Sequence, residues 1–325
     1  MIRLFKQNTL AQVLIMALIV VVLWIRAFIT PVVPQPTVCL APLYELIYLC
    51  LYSSPRMASA IALLVVLVQG GWINRILTER KITKAHSLLP MMLYVIVMSW
   101  SNNFLTITPM LLVNIFLLAA TGQLLSDGGT QLSTERNFNA SFFVGMIALC
   151  YLPALYYIVP FVFVFIIYKM YRWRNIVVAI FGMIAPFIIL FTYIFLCDKL
   201  DYYLILMSHD LSHFQLSLST DTFASTLPTV VLLTLIAASL LLQLSSLSDR
   251  TIYQRINTGI LSLPLLTAAI LAFYPHQGLI DAQTLAMPFA FLGTRFFMLE
   301  RKRQWISEVL LWVFLLAALL NILKQ

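Results

Sequence analysis

From Leu10 to Ile29 the chain runs for twenty residues with a single charge, Arg26, and ten further apolar runs follow, each closed by a polar or proline-containing break. About 20 apolar residues coiled as a helix match the hydrocarbon thickness of a bilayer. A helix also satisfies its own backbone hydrogen bonds, which lipid cannot do. The runs cover 10–29, 57–73, 88–102, 109–125, 139–152, 154–170, 176–197, 227–247, 258–274, 282–298 and 306–323. The pattern predicts an all-α fold, a polytopic transmembrane bundle of about 11 helices. No repeat or soluble segment divides it, so residues 1–325 read as one integral membrane domain. Composition agrees: only 10% of residues are charged, against about a quarter in soluble domains.

The formal charge of +8 would suit nucleic acid only if Lys and Arg shared a solvated face. Here they sit in short runs between apolar stretches, so no nucleic-acid partner is expected and the charge reads as a topology signal. With the N-terminus inside, sixteen of the twenty basic residues fall in inner segments: Arg3, Lys6, Arg75, Arg80, Lys81, Lys84, Arg136, Lys169, Arg172, Arg174, Arg250, Arg255, Arg295, Arg301, Lys302 and Arg303. Arg26, Arg56, Lys199 and Lys324 fall outside. Parity also demands that 137–170, interrupted by Pro153 and Pro160, form two helices; only a hairpin returns Lys169–Arg174 to the side of Arg75–Lys84. Met1–Lys6 has a signal-like charge, but no small-residue cleavage site follows the first run, which reads as a retained helix. The implied location is a bacterial inner membrane, crossed many times.

Four outer segments hold the remaining polar chemistry. In the first, prolines at 31, 34 and 36 precede Tyr44, Tyr48 and Tyr52. That four-residue spacing predicts a short interfacial amphipathic helix with rings in lipid and hydroxyls in water. Glu45 is the acid of this segment, with Arg26 and Arg56 as its basic neighbours; a surface ion pair is the plainer reading. In the second, His209 and His213 share a helical face beside Asp210, a metal-ligand spacing that solvated histidines also produce. The third holds Asn102, Asn103, Thr106 and Thr108, and the fourth His276, Gln277 and Asp281; either lines an outward cavity or forms capped turns. Thr108-Pro109 is a helix start. Cys39, Cys50, Cys150 and Cys197 have no metal spacing, and Cys39 with Cys50 is the one pair placed for an outer disulfide. No phosphate loop, nucleophile elbow or dinucleotide fingerprint is present.

The stretch from Asn137 to Cys197, a short hairpin, a basic turn and a further helix, resembles the middle of multi-pass glycosyltransferases of the C type. Leu88–Leu125, with Thr108-Pro109 opening its second helix, is similar to the preceding hairpin of that architecture. The chain also resembles an uncharacterised family of bacterial polytopic inner-membrane proteins. The first resemblance implies transfer of a polyprenyl-phosphate-linked sugar in cell-envelope glycan synthesis, with an outer acid that deprotonates the acceptor or binds a divalent metal. The family's acid at the outer end of the first helix is absent, since Arg26 stands there and Glu45 is the next acid. Glu45 then becomes the catalytic base; His209, Asp210 and His213 the metal ligands; Arg26, Arg56, Asn102, Asn103, His276 and Asp281 the phosphate and sugar contacts. The rival readings are a non-catalytic scaffold docking envelope proteins, and a carrier or flippase, which needs a polar cavity at mid-depth.

The sidedness is directly measurable. In a variant lacking the native cysteines, Lys81→Cys and Arg301→Cys are expected to resist a membrane-impermeant maleimide applied to intact cells from the periplasmic side, while Tyr52→Cys reacts. Labelling at position 81 or 301 inverts the map.

Overall fold

The computed structural model describes residues 10–36, 41–80, 82, 87–125, 132–198, 203, 234, 236, 237, 239, 240, 252–265, 283–299 and 304–324. Among these residues every element is helical: α1 (Leu10–Ile29), α2 (Pro42–Leu51), α3 (Pro55–Glu79), α4 (Leu89–Met98), α5 (Pro109–Leu124), α6 (Thr134–Cys150), α7 (Ile158–Ile167), α8 (Trp173–Leu196), α9 (Ile252–Ser262), α10 (Ala286–Leu299) and α11 (Gln304–Lys324). Short 3₁₀ turns at Asn102–Phe104 and Leu152–Tyr157 join them. Three helices, within 12–29, 55–79 and 173–196, are long and apolar enough to cross a membrane. Several others, including α4 and α5, are apolar but shorter.

Burial does not follow polarity on these long helices, which is the mark of a membrane protein. On α1, Leu23, Trp24 and Ala27 are buried, while the equally apolar Leu14, Leu18 and Ile25 are exposed. The outward face of α8 is likewise apolar, with Ile180, Phe181, Ile184, Ile188 and Ile189 exposed. Water would reject such surfaces; hydrocarbon solvates them.

The core is organised around α4. Met92, Leu93, Tyr94, Val95, Ile96, Val97 and Met98 are fully buried, enclosed by α3 and α10 with further contacts from α1 and α11. Trp100 and Phe289 both pack on Phe314 of α11, with ring centroids 5.2 and 5.1 Å away. Where α4 crosses α3, the Cβ of an alanine at Gly70 would lie 2.9 Å from Met91 Cγ, so glycine is what lets the two approach.

The 137–170 stretch does form two helices. Tyr151 is extended, with φ −162° and ψ 111°, and ends α6; α7 then returns until the Tyr168 hydroxyl donates to the Leu124 carbonyl at the end of α5. Lys169 closes the turn with φ 53°, and the Met170 amide reaches back to the Phe165 carbonyl. That is a helix stop usually built on glycine, because a side chain strains the left-handed region. One end of the bundle thereby gathers Arg75, Arg80, Arg136, Lys169, Arg172 and Arg174, at the end of α3, the start of α6 and the α7–α8 turn. The other end carries α2 and its tyrosines.

Helices α6 and α8 run in the same direction, in contact along their length. Asn137 Nδ2 donates to the Asn175 carbonyl at 2.9 Å, Gly182 faces Phe138 and Ser141, and Gly145 faces Met183 and Pro186. Small residues four apart let backbones touch, the usual source of helix association where lipid removes the hydrophobic drive. A Cβ at Gly145 would overlap the Met183 carbonyl oxygen, and one at Gly182 would lie 2.8 Å from the Phe138 carbonyl oxygen. Gly145→Ala and Gly182→Ala are expected to cost about 1–3 kcal/mol by overpacking. Gly71→Ala meets nothing within 4 Å and should be neutral or stabilising by up to about 1 kcal/mol from helix propensity. Thermal melts of the detergent-solubilised protein separate the two outcomes.

Candidate functional site

Ten residues of helix rise about 15 Å, half of a hydrocarbon layer of about 30 Å. Helix α4 is that short, so the path is completed by 99–108 as irregular backbone. Such backbone survives near lipid only inside protein, and Ser99, Trp100, Ser101 and Phe104 through Thr108 are indeed buried. The Phe104 amide bonds the Ser101 carbonyl and the Leu105 amide that of Asn102, which settles part of the backbone locally.

Side chains from distant segments settle the rest and converge on this hairpin tip. Ser99 folds its hydroxyl onto the Val95 carbonyl at 2.7 Å and accepts from Trp24 Nε1 of α1 at 2.9 Å. Thr108 caps α5, accepting from the Leu111 amide, and donates to Gln283 Oε1 at 2.7 Å. Asn114, one and a half turns into α5, donates to the Gln283 carbonyl at 3.3 Å. The Tyr44 hydroxyl of α2 donates to the Gln35 carbonyl at 2.7 Å, with the Ile107 carbonyl 3.3 Å away. Burial, reinforced by Tyr48, pushes the Tyr44 phenol up to about 12, so it keeps its proton and remains a donor.

The chain segments that carry Tyr44, Thr108 and Gln283 therefore meet here. Deeper in, the Tyr94 hydroxyl donates to Gln69 Oε1 at 2.6 Å, and Gln69 Nε2 donates to the Leu111 carbonyl at 2.7 Å. Among the described residues, Thr106 Oγ1, Asn114 Oδ1 and Gln283 Nε2 are buried with no hydrogen-bond partner, and each such group costs free energy unless a further polar atom reaches it. The arrangement offers neutral donors and acceptors rather than charge, the chemistry that recognises hydroxyls and amides.

Of the described residues expected to act, Asn102 and Asn103 lie in this tip, and Glu45, Arg26 and Arg56 lie on other elements. Glu45 is exposed on α2, one residue from the tip-sealing Tyr44. Arg26 is half-buried near the end of α1, Arg56 is exposed at the start of α3, Asn102 is half-buried and Asn103 exposed. The tyrosines depart from the expectation of three rings at an interface. Tyr44 is buried in the bundle, whereas Tyr52 is exposed; Tyr44 and Tyr48 stack with centroids 6.2 Å apart, and Tyr52 lies tilted against Tyr48 at 5.4 Å. Cys50 is a free, exposed thiol, while Cys39 lies outside the described residues. His209, Asp210, His213, His276 and Asp281 also lie outside them. Among the described residues no three His, Cys, Asp or Glu side chains gather to hold a metal. Gln69, Tyr94 and Asn114 were not singled out from sequence, because an amide or phenol inside an apolar run looks like an interruption until its partner is known.

Gln69→Leu leaves the Tyr94 hydroxyl buried without its acceptor and is expected to cost about 1–3 kcal/mol. Adding Tyr94→Phe should recover part of that loss, a coupling of about 1 kcal/mol in a double-mutant cycle read by thermal melting. Additive losses would show that the pair does not interact.

No family model matches this chain, and comparison with curated proteins and with solved structures finds no significant match. The site's role is therefore argued from its own geometry.

Proposed function

We propose that the chain is a multi-pass protein of a bacterial inner membrane, with the basic end in the cytoplasm and the tyrosine end as its working face, and that it transfers lipid-linked sugar in the manner of C-type glycosyltransferases. The observation that carries this reading is the convergence of Tyr44, Thr108 and Gln283 on one buried polar hairpin tip. The partition of charge supports the orientation, because Lys and Arg favour the cytoplasmic side. The neutral amides and hydroxyls of the tip suit sugar hydroxyls, and Arg26 and Arg56 near the same end suit the carrier's phosphate, to which guanidinium offers forked donors. Asn102 and Asn103 extend the polar rim, and His276 and Asp281 precede Gln283 in sequence.

Glu45 is the proposed proton acceptor. Its carboxylate would take the proton of the acceptor hydroxyl as that oxygen attacks the sugar's anomeric carbon, and the lipid phosphate would leave with the bonding pair. A divalent metal, with His209, Asp210 and His213 as its proposed ligands, would neutralise the leaving phosphate.

A second reading, a membrane scaffold that docks envelope proteins, is favoured by the exposure of Glu45 and Arg56, which stand on the surface as docking charges do. One experiment separates the two. Membranes carrying Glu45→Gln are expected to lose transfer of labelled sugar from a polyprenyl phosphate carrier by a factor of about 10² or more, as removal of a general base does, with the protein's level in the membrane unchanged. Undiminished transfer removes Glu45 from the chemistry. A stoichiometric protein partner retained by both wild type and variant, with no transfer by either, establishes the scaffold.

A further inference from the structure

The basic end contains a cleft that the proposed chemistry does not use. It has a volume of about 260 Å³ and lies between α3, α5 and α6. Trp72, Ile76, Ala119 and Phe143 give it an apolar floor, while Arg75, Glu79, Arg80 and Gln123 form a polar rim. Arg75 bonds Glu79 through Nε at 2.6 Å, and among the described residues its two terminal nitrogens remain for another acceptor. Arg80, the residue after α3, borders the cleft and is half-buried. Arg136, whose Nη2 donates to the Leu125 carbonyl at 2.6 Å, stands close enough to oppose the Arg80 charge. Burial and Arg136 together lower the pKa of Arg80. Arg255 is exposed on α9, whose Tyr253 hydroxyl donates to the Arg80 carbonyl at 3.4 Å. The acids on these elements are Glu79, engaged by Arg75, and Glu135, exposed in the first turn of α6. Among the described residues around the cleft, arginines outnumber acids, and an anion is attracted to such a rim.

An apolar floor beneath a basic rim has the shape of a lipid with an anionic headgroup: chain below, phosphate above. We propose that this cleft binds the phosphate of an anionic lipid, Arg80 and the terminal nitrogens of Arg75 holding the phosphate oxygens while an acyl chain lies along Trp72, Ile76 and Phe143. The assignment rests on the membrane orientation proposed above, which puts the cleft at the level of the cytoplasmic headgroups. The site differs from the sugar-carrier contacts at Arg26 and Arg56 in both its end of the bundle and its residues.

The test uses the full chain in an uncharged detergent, melted with phosphatidylglycerol, phosphatidylcholine or inorganic phosphate. Phosphatidylglycerol is expected to raise the melting temperature by several degrees, with little effect from the other two. Arg80→Gln should abolish that shift and Arg80→Lys retain part of it, while Arg56→Gln at the opposite end keeps it whole. Should Arg80→Gln fail to fold, Arg75→Gln serves in its place, since that side chain is 75% exposed and supports no core packing. Equal shifts from both lipids, or an undiminished shift in the Arg80 and Arg75 variants, overturn the proposal. A full shift from inorganic phosphate alone assigns the rim to a soluble anion and overturns the lipid. Detergent erases sidedness, so these outcomes stand apart from the orientation, which maleimide labelling at position 81 decides.

Discussion

Lipid supplies no hydrogen bonds, and the structure turns on how it answers that fact at the end of α4. A helix of ten residues leaves the chain to finish its path as irregular backbone. The answer is to bury that backbone under four separate elements. Trp24 comes from α1, Tyr44 from α2, Thr108 from the start of α5 and Gln283 from the segment before α10. Trp24 and Tyr44 donate to groups of the hairpin tip, Thr108 caps the helix that follows it, and Gln283 accepts from Thr108. Between Met92 and Met98 every residue but Tyr94 is then free to be apolar, because the polar obligations have been moved to the tip and to the Gln69–Tyr94 pair.

The two halves of the bundle associate by different means. Around α4 the contacts are large apolar and aromatic side chains closing on a buried helix. Between α6 and α8 they are small residues that bring backbones together, with Asn137 bonding across the pair. Pro186 sits in that second contact, four residues beyond Gly182. It lacks the amide that would bond the Gly182 carbonyl, and its ring fills the space a side chain at Gly145 would need.

The two ends differ in the same physical terms. The tyrosine end presents neutral polar groups and a few exposed charges near a tip that holds unsatisfied buried atoms. The basic end presents arginines around an apolar-floored cleft.

By itself the sequence determined the helical class, the apolar runs, the hairpin at 137–170 and the cap at Thr108, because each depends on a local signal. Those signals are the length of an apolar run, the spacing of basic residues, a proline break, or a hydroxyl before a helix start. The end of α1 at Ile29 was legible to the residue, since apolar run and helix stop together there. That of α3 was not: its helix continues to Glu79 past the end of the apolar run, because a helix entering water keeps its backbone bonds after its side chains turn polar. Glu45 and the tyrosine helix were visible as types and positions. Their surroundings were not, and Tyr44, read as an interfacial ring, proves to be buried. Only the tertiary structure decided which buried amides and phenols pair, that Thr108 meets Gln283 across 175 positions of sequence, and that Arg75 and Arg80 border a cleft closed by α5 and α6. Long-range hydrogen bonds and backbone approaches at glycine leave no periodic trace, because both partners are single residues whose meeting is set by how whole helices cross.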